Sequence, residues 1–196
     1  MKNGSFELDT ASVVCKGLNR AMRDYAALFE IGTHDVVPKE DQIKCAIYSA
    51  ASAAGYLVHV EGARLRNKGR LDLKLIAAGD DPRASAAIEI KVAWAGRPGD
   101  GWDNSGQLQA WVKDLVNLQD IETPGLVARY FVLAFAYQDK FDATVRRKIE
   151  ELKSMPAVSE VSASKKAVAI RTSTGLTHIE FFLFSISPKP RIRIAG

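Results

Sequence analysis

Residues 70–92 read RLDLKLIAAGDDPRASAAIEIKV and contain two segments in which polar and apolar residues alternate. A period of two is typical of a half-buried strand, and the intervening Gly79-Asp80-Asp81-Pro82 has the composition of a turn. These residues therefore predict an antiparallel hairpin. If the turn is centred between Asp80 and Asp81, residues at equal distances from the centre face each other, and Asp72 lies opposite Glu89.

Alternation also sorts the side chains of this hairpin onto two faces. The apolar face comprises Leu71, Leu73, Leu75, Ile88, Ile90 and Val92, and the charged face comprises Arg70, Asp72, Lys74, Glu89 and Lys91. Two directly opposed carboxylates cost up to about 1 kcal/mol unless a positive charge separates them. The charged face is therefore either a cation site or a solvent-facing surface with weak cross-strand ion pairs.

The composition indicates one soluble domain. With 196 residues, of which 47% are hydrophobic, the chain can form a core without disulfides, and we predict a single domain over 1–196. The net charge of +4 favours a polyanionic partner only weakly, because the basic residues are scattered. We find no signal peptide and no apolar run of membrane-spanning length, and expect a cytoplasmic protein without membrane contact.

The cysteines and histidines do not indicate a zinc site. Cys15 and Cys45 fall in segments with helical periodicity, where we expect small core residues rather than disulfide partners. His34, His59 and His178 are dispersed along the chain. Any bound metal should therefore have oxygen ligands.

Helical periodicity precedes the hairpin. We predict an N-terminal helix within 10–32 and a second helix over 38–55, which leads into a strand at 56–61. Because successive helical residues rotate by about 100°, Glu40 falls within the apolar stripe of Ile43 and Ile47, whereas Asp41 is turned away. An inward-facing acid needs a partner such as a metal or a lysine.

After the hairpin, a glycine-rich segment at 95–106 precedes a helix that carries Leu108, Trp111 and Leu115. The nearly continuous apolar run at 129–137 is typical of a strand in the middle of a sheet, reached by a helical crossover. Residues 138–187 predict a helix followed by an antiparallel β-meander, and 188–196 predict a basic tail. The predicted fold is α/β with a mixed central sheet.

The order helix-strand-strand-strand-helix-strand over 38–137, with Asp72 in the second strand and Glu89-Ile90-Lys91 in the third, resembles the PD-(D/E)xK nuclease superfamily, or restriction-endonuclease-like fold. Gln107 and Trp111 have the glutamine-to-aromatic spacing of RecB-like branches, and Holliday-junction-resolvase-like branches are also similar. The chain departs from the family pattern at Leu71, where the eponymous proline would stand, and at Trp111, where tyrosine is usual.

The resemblance implies hydrolysis of DNA phosphodiester bonds with Mg²⁺ or Mn²⁺ as cofactor. In this interpretation Asp72 and Glu89 bind the metal, and Glu40 is an accessory acid that binds a second ion or orients water, consistent with the preference of magnesium for oxygen ligands. Lys91 would stabilise negative charge, and Gln107 would position Lys91 or a phosphate. The pattern does not separate endonucleases from exonucleases.

Basic and aromatic residues near the hairpin are candidates for nucleic-acid contacts, although charged loops are more often simply solvated. They are Arg64, Arg66, Lys68, Arg70, Arg97 and Trp102.

Three alternatives stay open. In a competing register, Glu61 pairs with Asp72-Leu73-Lys74 as the carboxylate-x-lysine strand, which leaves Glu89 and Lys91 without a role. The same fold could be a catalytically inactive nucleic-acid-binding or assembly module. It could also be a nuclease subunit that needs a partner, either a second copy or a larger defence or recombination complex.

Overall fold

The computed structural model describes residues 3–30, 38–60, 71–78, 84–95, 105–161, 166–172 and 175–189. Within these ranges the protein has an α/β fold with four α-helices and one mixed sheet of seven strands. The elements are α1 (Asn3–Glu30), α2 (Glu40–Ala53), β1 (Leu57–Val60), β2 (Leu73–Ile76), β3 (Ser85–Ala95), α3 (Ser105–Gln119), β4 (Leu126–Gln138), a 3₁₀ turn (Asp139–Phe141), α4 (Asp142–Lys153), β5 (Val158–Glu160), β6 (Lys166–Thr172) and β7 (Gly175–Ile186).

Both N-terminal helices form where periodicity predicts them, with one shifted boundary. Helix α1 begins at Asn3 rather than near residue 10, and Phe6 in this added segment is only 3% exposed because it packs in the core. Helix α2 ends at Ala53 and is followed by Gly55, whose φ of +84° is a left-handed conformation that favours glycine. The chain then turns into β1.

The first four strands occur in the predicted order along the chain, and β2 and β3 pair antiparallel as predicted. Strands β1, β2 and β3 are successively antiparallel, and β4 lies parallel to β3 after the crossover through α3. Leu73 pairs with Ile88 and Leu75 pairs with Ala86, so the register predicted from a turn centred between Asp80 and Asp81 is confirmed. The turn itself, at 79–83, lies outside the described residues.

The predicted β-meander is wrong. Strand β7 pairs with β4 along one edge, while β5 and β6 both pair antiparallel with its other edge. The reason is that β7 is apolar on both faces: Phe181, Phe182 and Phe184 are all at most 1% exposed. A strand of this kind requires an interior place in the sheet, with helices covering both sides.

The core lies in two layers, one on each face of the sheet. Alternate residues of β4 divide between them: Val132 packs with α1 and α2, whereas Phe135 packs with α3 and α4. Where α1 crosses α2, a Cβ added at Gly17 would lie 2.6 Å from the Cα of Ile47. The absence of a side chain at Gly17 therefore permits the close approach of α1 and α2, which pack on the same face of the sheet.

Leu71 packs in the layer of α3 and α4, opposite to Leu73, because it precedes β2 and the strand alternation does not extend to it. Cys45 is exposed and is therefore not the core residue expected, whereas the half-buried Cys15 packs against the core; neither forms a disulfide among the described residues. Within the described ranges, no helix combines the length and apolar character needed to cross a bilayer.

Candidate functional site

Asp72 immediately precedes β2, rather than lying within the strand as predicted, and its side chain takes part in the hydrogen bonding of the hairpin. Ala77 donates a backbone hydrogen bond to Ala84 across the hairpin, and continuation of this pattern would direct the Ile90 N–H to the carbonyl of Leu71. Instead, Ile90 N–H donates to Asp72 Oδ2 at 2.8 Å. The Asp72 carboxylate, which is 8% exposed, therefore replaces the backbone acceptor and is held in a fixed position.

Glu89 and Lys91 project from β3 on the same face, as their spacing of two predicts. Lys91 Nζ donates to Glu89 Oε1 at 2.5 Å and lies 3.7 Å from Asp114 Oδ2 on α3. Glu89 is 6% exposed, and its second oxygen, Oε2, is buried without a hydrogen-bond partner among the described residues. A buried carboxylate oxygen of this kind can bind a cation.

Helix α2 adds two charged groups to the site. Lys44 Nζ lies 3.1 Å from Asp72 Oδ1, with only 11% of the lysine side chain exposed. Glu40, one turn earlier, has a pKa raised by burial and by the charge of Asp72, partly offset by Lys91 and Lys44. Asp41, by contrast, has a side chain that is 92% exposed. The helix rotation therefore directs Glu40 rather than Asp41 towards the hairpin, as predicted.

Burial and the excess of negative groups at the site perturb the protonation of its carboxyl groups. Burial raises the pKa of Glu89 to about 7, with further repulsion from Asp72 and Asp114, although Lys91 opposes the shift. Burial lowers the pKa of Lys91, but its bond to Glu89 and the charges of Glu89, Asp114 and Glu40 outweigh this and raise it overall. Lys91 is therefore a cation at neutral pH.

The remaining predicted site residues lie on α3 or outside the described residues. Gln107 lies in the first turn of α3, but its side chain is outside the description. Trp111 is 3% exposed and packs edge-on against Phe135 with ring centroids 5.4 Å apart, so it belongs to the core. Outside the described residues lie Glu61, Arg64, Arg66, Lys68, Arg70, Arg97 and Trp102.

Two charged residues of the site were not identified from the sequence, although each has a helical spacing from a residue that was identified. Lys44 follows Glu40 by four residues, and Asp114 follows Trp111 by three, spacings that place side chains on one helix face. Lys44 lies one turn after Glu40 on the same helix face, and Asp114 lies one turn after Trp111. An inspection of those two helix faces would have identified both residues.

The carboxylate side chains at this site are of the type that binds magnesium. Magnesium takes one or two protein carboxylates and completes its octahedron with waters and substrate oxygens. Asp72 and Glu89 could supply those carboxylates, the latter through its unpartnered Oε2. Among the residues that the structure describes, no group of three or more histidine, cysteine or acidic side chains is arranged to hold a metal ion. A site of this type would therefore depend on substrate and water oxygens.

No protein-family model matches this chain, and neither a curated protein nor a solved structure matches it significantly. The chemistry of the site is therefore inferred from its own geometry: a fixed aspartate, a buried glutamate and two lysines where α2, β2 and β3 meet.

Proposed function

We propose that this protein is a metal-dependent nuclease that hydrolyses phosphodiester bonds in DNA, with Asp72, Glu89 and Lys91 at its centre. The observation that carries the proposal is the convergence of two buried carboxylates, Asp72 just before β2 and Glu89 on β3, with the partly buried ammonium group of Lys91. Buried charged groups are costly, and their concentration at one place is a common feature of active sites.

The topology supports this assignment. The segment from α2 to β4 has the order helix-strand-strand-strand-helix-strand, with three antiparallel strands and a fourth parallel to the third. This is the order of the restriction-endonuclease-like core. Asp72 immediately precedes the second strand, and Glu89 and Lys91 lie within the third, an arrangement that resembles the family motif.

The charge balance of the site favours a divalent cation. Four carboxylates interact there, those of Glu40, Asp72, Glu89 and Asp114, against the ammonium groups of Lys44 and Lys91. With all of them ionised, four negative and two positive charges leave a formal charge of −2 on these six groups. A bound Mg²⁺ or Mn²⁺ would neutralise that excess and reduce the repulsion that, in addition to burial, raises the pKa of Glu40 and of Glu89.

Each residue of the site would have a separate role in the reaction. Asp72 and Glu89 would hold the ion, and Glu40 would support it from α2. When bound, the metal polarises the phosphate and lowers the pKa of a coordinated water. Lys91, protonated and only 25% exposed, is placed to stabilise the negative charge that develops on the phosphate oxygens. Its raised pKa makes it an electrostatic stabiliser rather than a general base.

The test is cleavage of linear, circular and branched DNA with Mg²⁺ or Mn²⁺. We expect the wild-type protein to cleave at least one of these substrates, and Asp72→Asn and Lys91→Met to lose at least about 100-fold in rate. Asp24→Asn on α1 is the matched control, since it makes the same chemical change at an exposed position. Cleavage by Asp72→Asn at the wild-type rate would overturn the assignment.

A second function is favoured by one observation. Lys44 already occupies Asp72 Oδ1, and an ammonium group in that place could substitute permanently for a metal. The protein would then be a catalytically inactive DNA-binding or assembly module on the same fold. It would shift the mobility of DNA in a gel and leave every substrate intact with either ion.

A further inference from the structure

The ion pair between Lys44 and Asp72 occupies the one carboxylate oxygen of Asp72 that is not bound to the sheet. Asp72 Oδ2 accepts the Ile90 N–H at 2.8 Å, and Lys44 Nζ lies 3.1 Å from Oδ1. Both side chains are nearly buried, with 11% of the lysine and 10% of the aspartate exposed. A cation that approaches Asp72 at Oδ1 therefore meets an ammonium group already in place.

Lys44 also has a second acceptor on the solvent side. Its Nζ lies 3.8 Å from Asp41 Oδ1, and the Asp41 side chain is 92% exposed. A lysine has a flexible stem and a compact ammonium group with three donors, so it can exchange one carboxylate for another by rotamer changes alone. The geometry therefore provides an inner position on Asp72 and an outer position towards Asp41.

We propose that Lys44 is a built-in counter-ion that competes with a divalent cation for Asp72. Without the ion, Lys44 neutralises Asp72 and stabilises the folded protein. When the ion binds, Lys44 moves outward towards Asp41, so the affinity for the ion is lower than the carboxylates alone would give. The identity of the ion as Mg²⁺ or Mn²⁺ rests on the proposed function, but the competition itself requires only that a divalent cation reach Asp72.

Competition predicts two effects of opposite sign when the lysine charge is removed. A residue that only supports the structure would, once replaced, lower both the stability and the affinity for the metal. Removal of a competing cation lowers stability in metal-free buffer, because Asp72 loses its partner, but it raises the affinity for Mn²⁺. The sign of the change in affinity therefore separates the two roles.

The experiment is calorimetric titration with MnCl₂ alone, without DNA, together with thermal unfolding in chelator and in Mn²⁺. We expect Lys44→Met and Lys44→Gln to bind Mn²⁺ on the order of tenfold more tightly than wild type. In chelator both variants should unfold at a lower temperature, and Mn²⁺ should restore much of the loss. Lys39→Met is the matched control, because it removes an exposed positive charge just before α2 and should change neither property.

Equal or weaker binding of Mn²⁺ by both Lys44 variants would overturn the competition. If neither variant folds, the wild-type protein still decides: titration with Mg²⁺, followed by NMR of the lysine ammonium groups, should shift the Lys44 signal, and an unchanged signal would contradict the proposal. Tighter binding by the variants with no DNA cleavage by any form would leave the competition intact and refute the nuclease. Cleavage by the wild-type protein, together with unchanged Mn²⁺ affinity in the Lys44 variants, would support the nuclease and refute the competition.

Discussion

Replacement of Glu89 by glutamine should stabilise the folded protein above neutral pH and at the same time abolish cleavage. Glu89 is 6% exposed, and its buried carboxylate is more costly in the charged than in the protonated form. Glutamine has the shape of the protonated acid and remains neutral at every pH. The variant therefore removes an unfavourable charge from the interior but also removes a proposed metal ligand.

The magnitude follows from the pKa of Glu89, which rises from its ordinary value of 4.5 to about 7. Between these values the folded protein retains a proton that the unfolded chain releases, so the free energy of unfolding falls as the pH rises through this window and levels off above it. At 1.36 kcal/mol per pH unit, the difference amounts to roughly 3 kcal/mol. The opposing effect of Lys91 is already contained in this pKa.

The assay is urea denaturation in chelator at several pH values between about 5 and 8. Between these pH values, ionisation of Glu89 should lower the unfolding free energy of the wild-type protein by up to roughly 3 kcal/mol. The Glu89→Gln variant lacks this contribution, so its unfolding free energy should fall by that amount less than the wild-type value. Glu150→Gln is the matched control, because this α4 side chain is 69% exposed and should leave the wild-type pH profile unchanged. A Glu89→Gln variant with the wild-type profile, or one that is less stable than wild type at the upper end, would refute the reasoning.

Three further predictions follow from other contacts. With metal below saturation, cleavage should increase with pH through about 7 and level off about one pH unit above it, because Glu89 must be ionised to bind the metal; a flat rate profile across this range would contradict this. Gly17→Ala should lower the unfolding free energy measured in urea by about 1–3 kcal/mol, because its Cβ would meet the Ile47 backbone; an unchanged midpoint would show that α1 and α2 can separate without cost. Arg146→Met should cost about 2–3 kcal/mol, since it removes both guanidinium hydrogen bonds from the buried carboxylate of Glu180; thermal unfolding at the wild-type temperature would show that this pair contributes little.

The hairpin was predictable because its determinants are local. The alternation in the two segments and the turn residues between them are enough to align Leu73 with Ile88 and to place Glu89 and Lys91 on one face. The end of α2 before Gly55 is likewise decided within a few residues, by the conformation that glycine permits. The run at 129–137 indicated an interior strand because it is apolar on both faces.

The surroundings of the hairpin were decided only by the tertiary structure. Lys44 reaches Asp72 because α2 packs over the start of β2, and Asp114 reaches Lys91 because α3 packs over the opposite face of β3. The position of β7 next to β4, and the use of the Asp72 side chain in place of a backbone acceptor, also depend on which distant elements meet.

The sequence of this protein by itself determined where its strands lie, the register of β2 against β3, and the two carboxylates and lysine that this hairpin brings together. The partners of those charges, and with them the pKa of Glu89 and the competition expected at Asp72, came from the packing of helices on the sheet. The physical reason is that backbone periodicity and turn conformation depend on residues that are neighbours along the chain. Desolvation and ion pairing instead depend on every group that folding brings within a few ångströms.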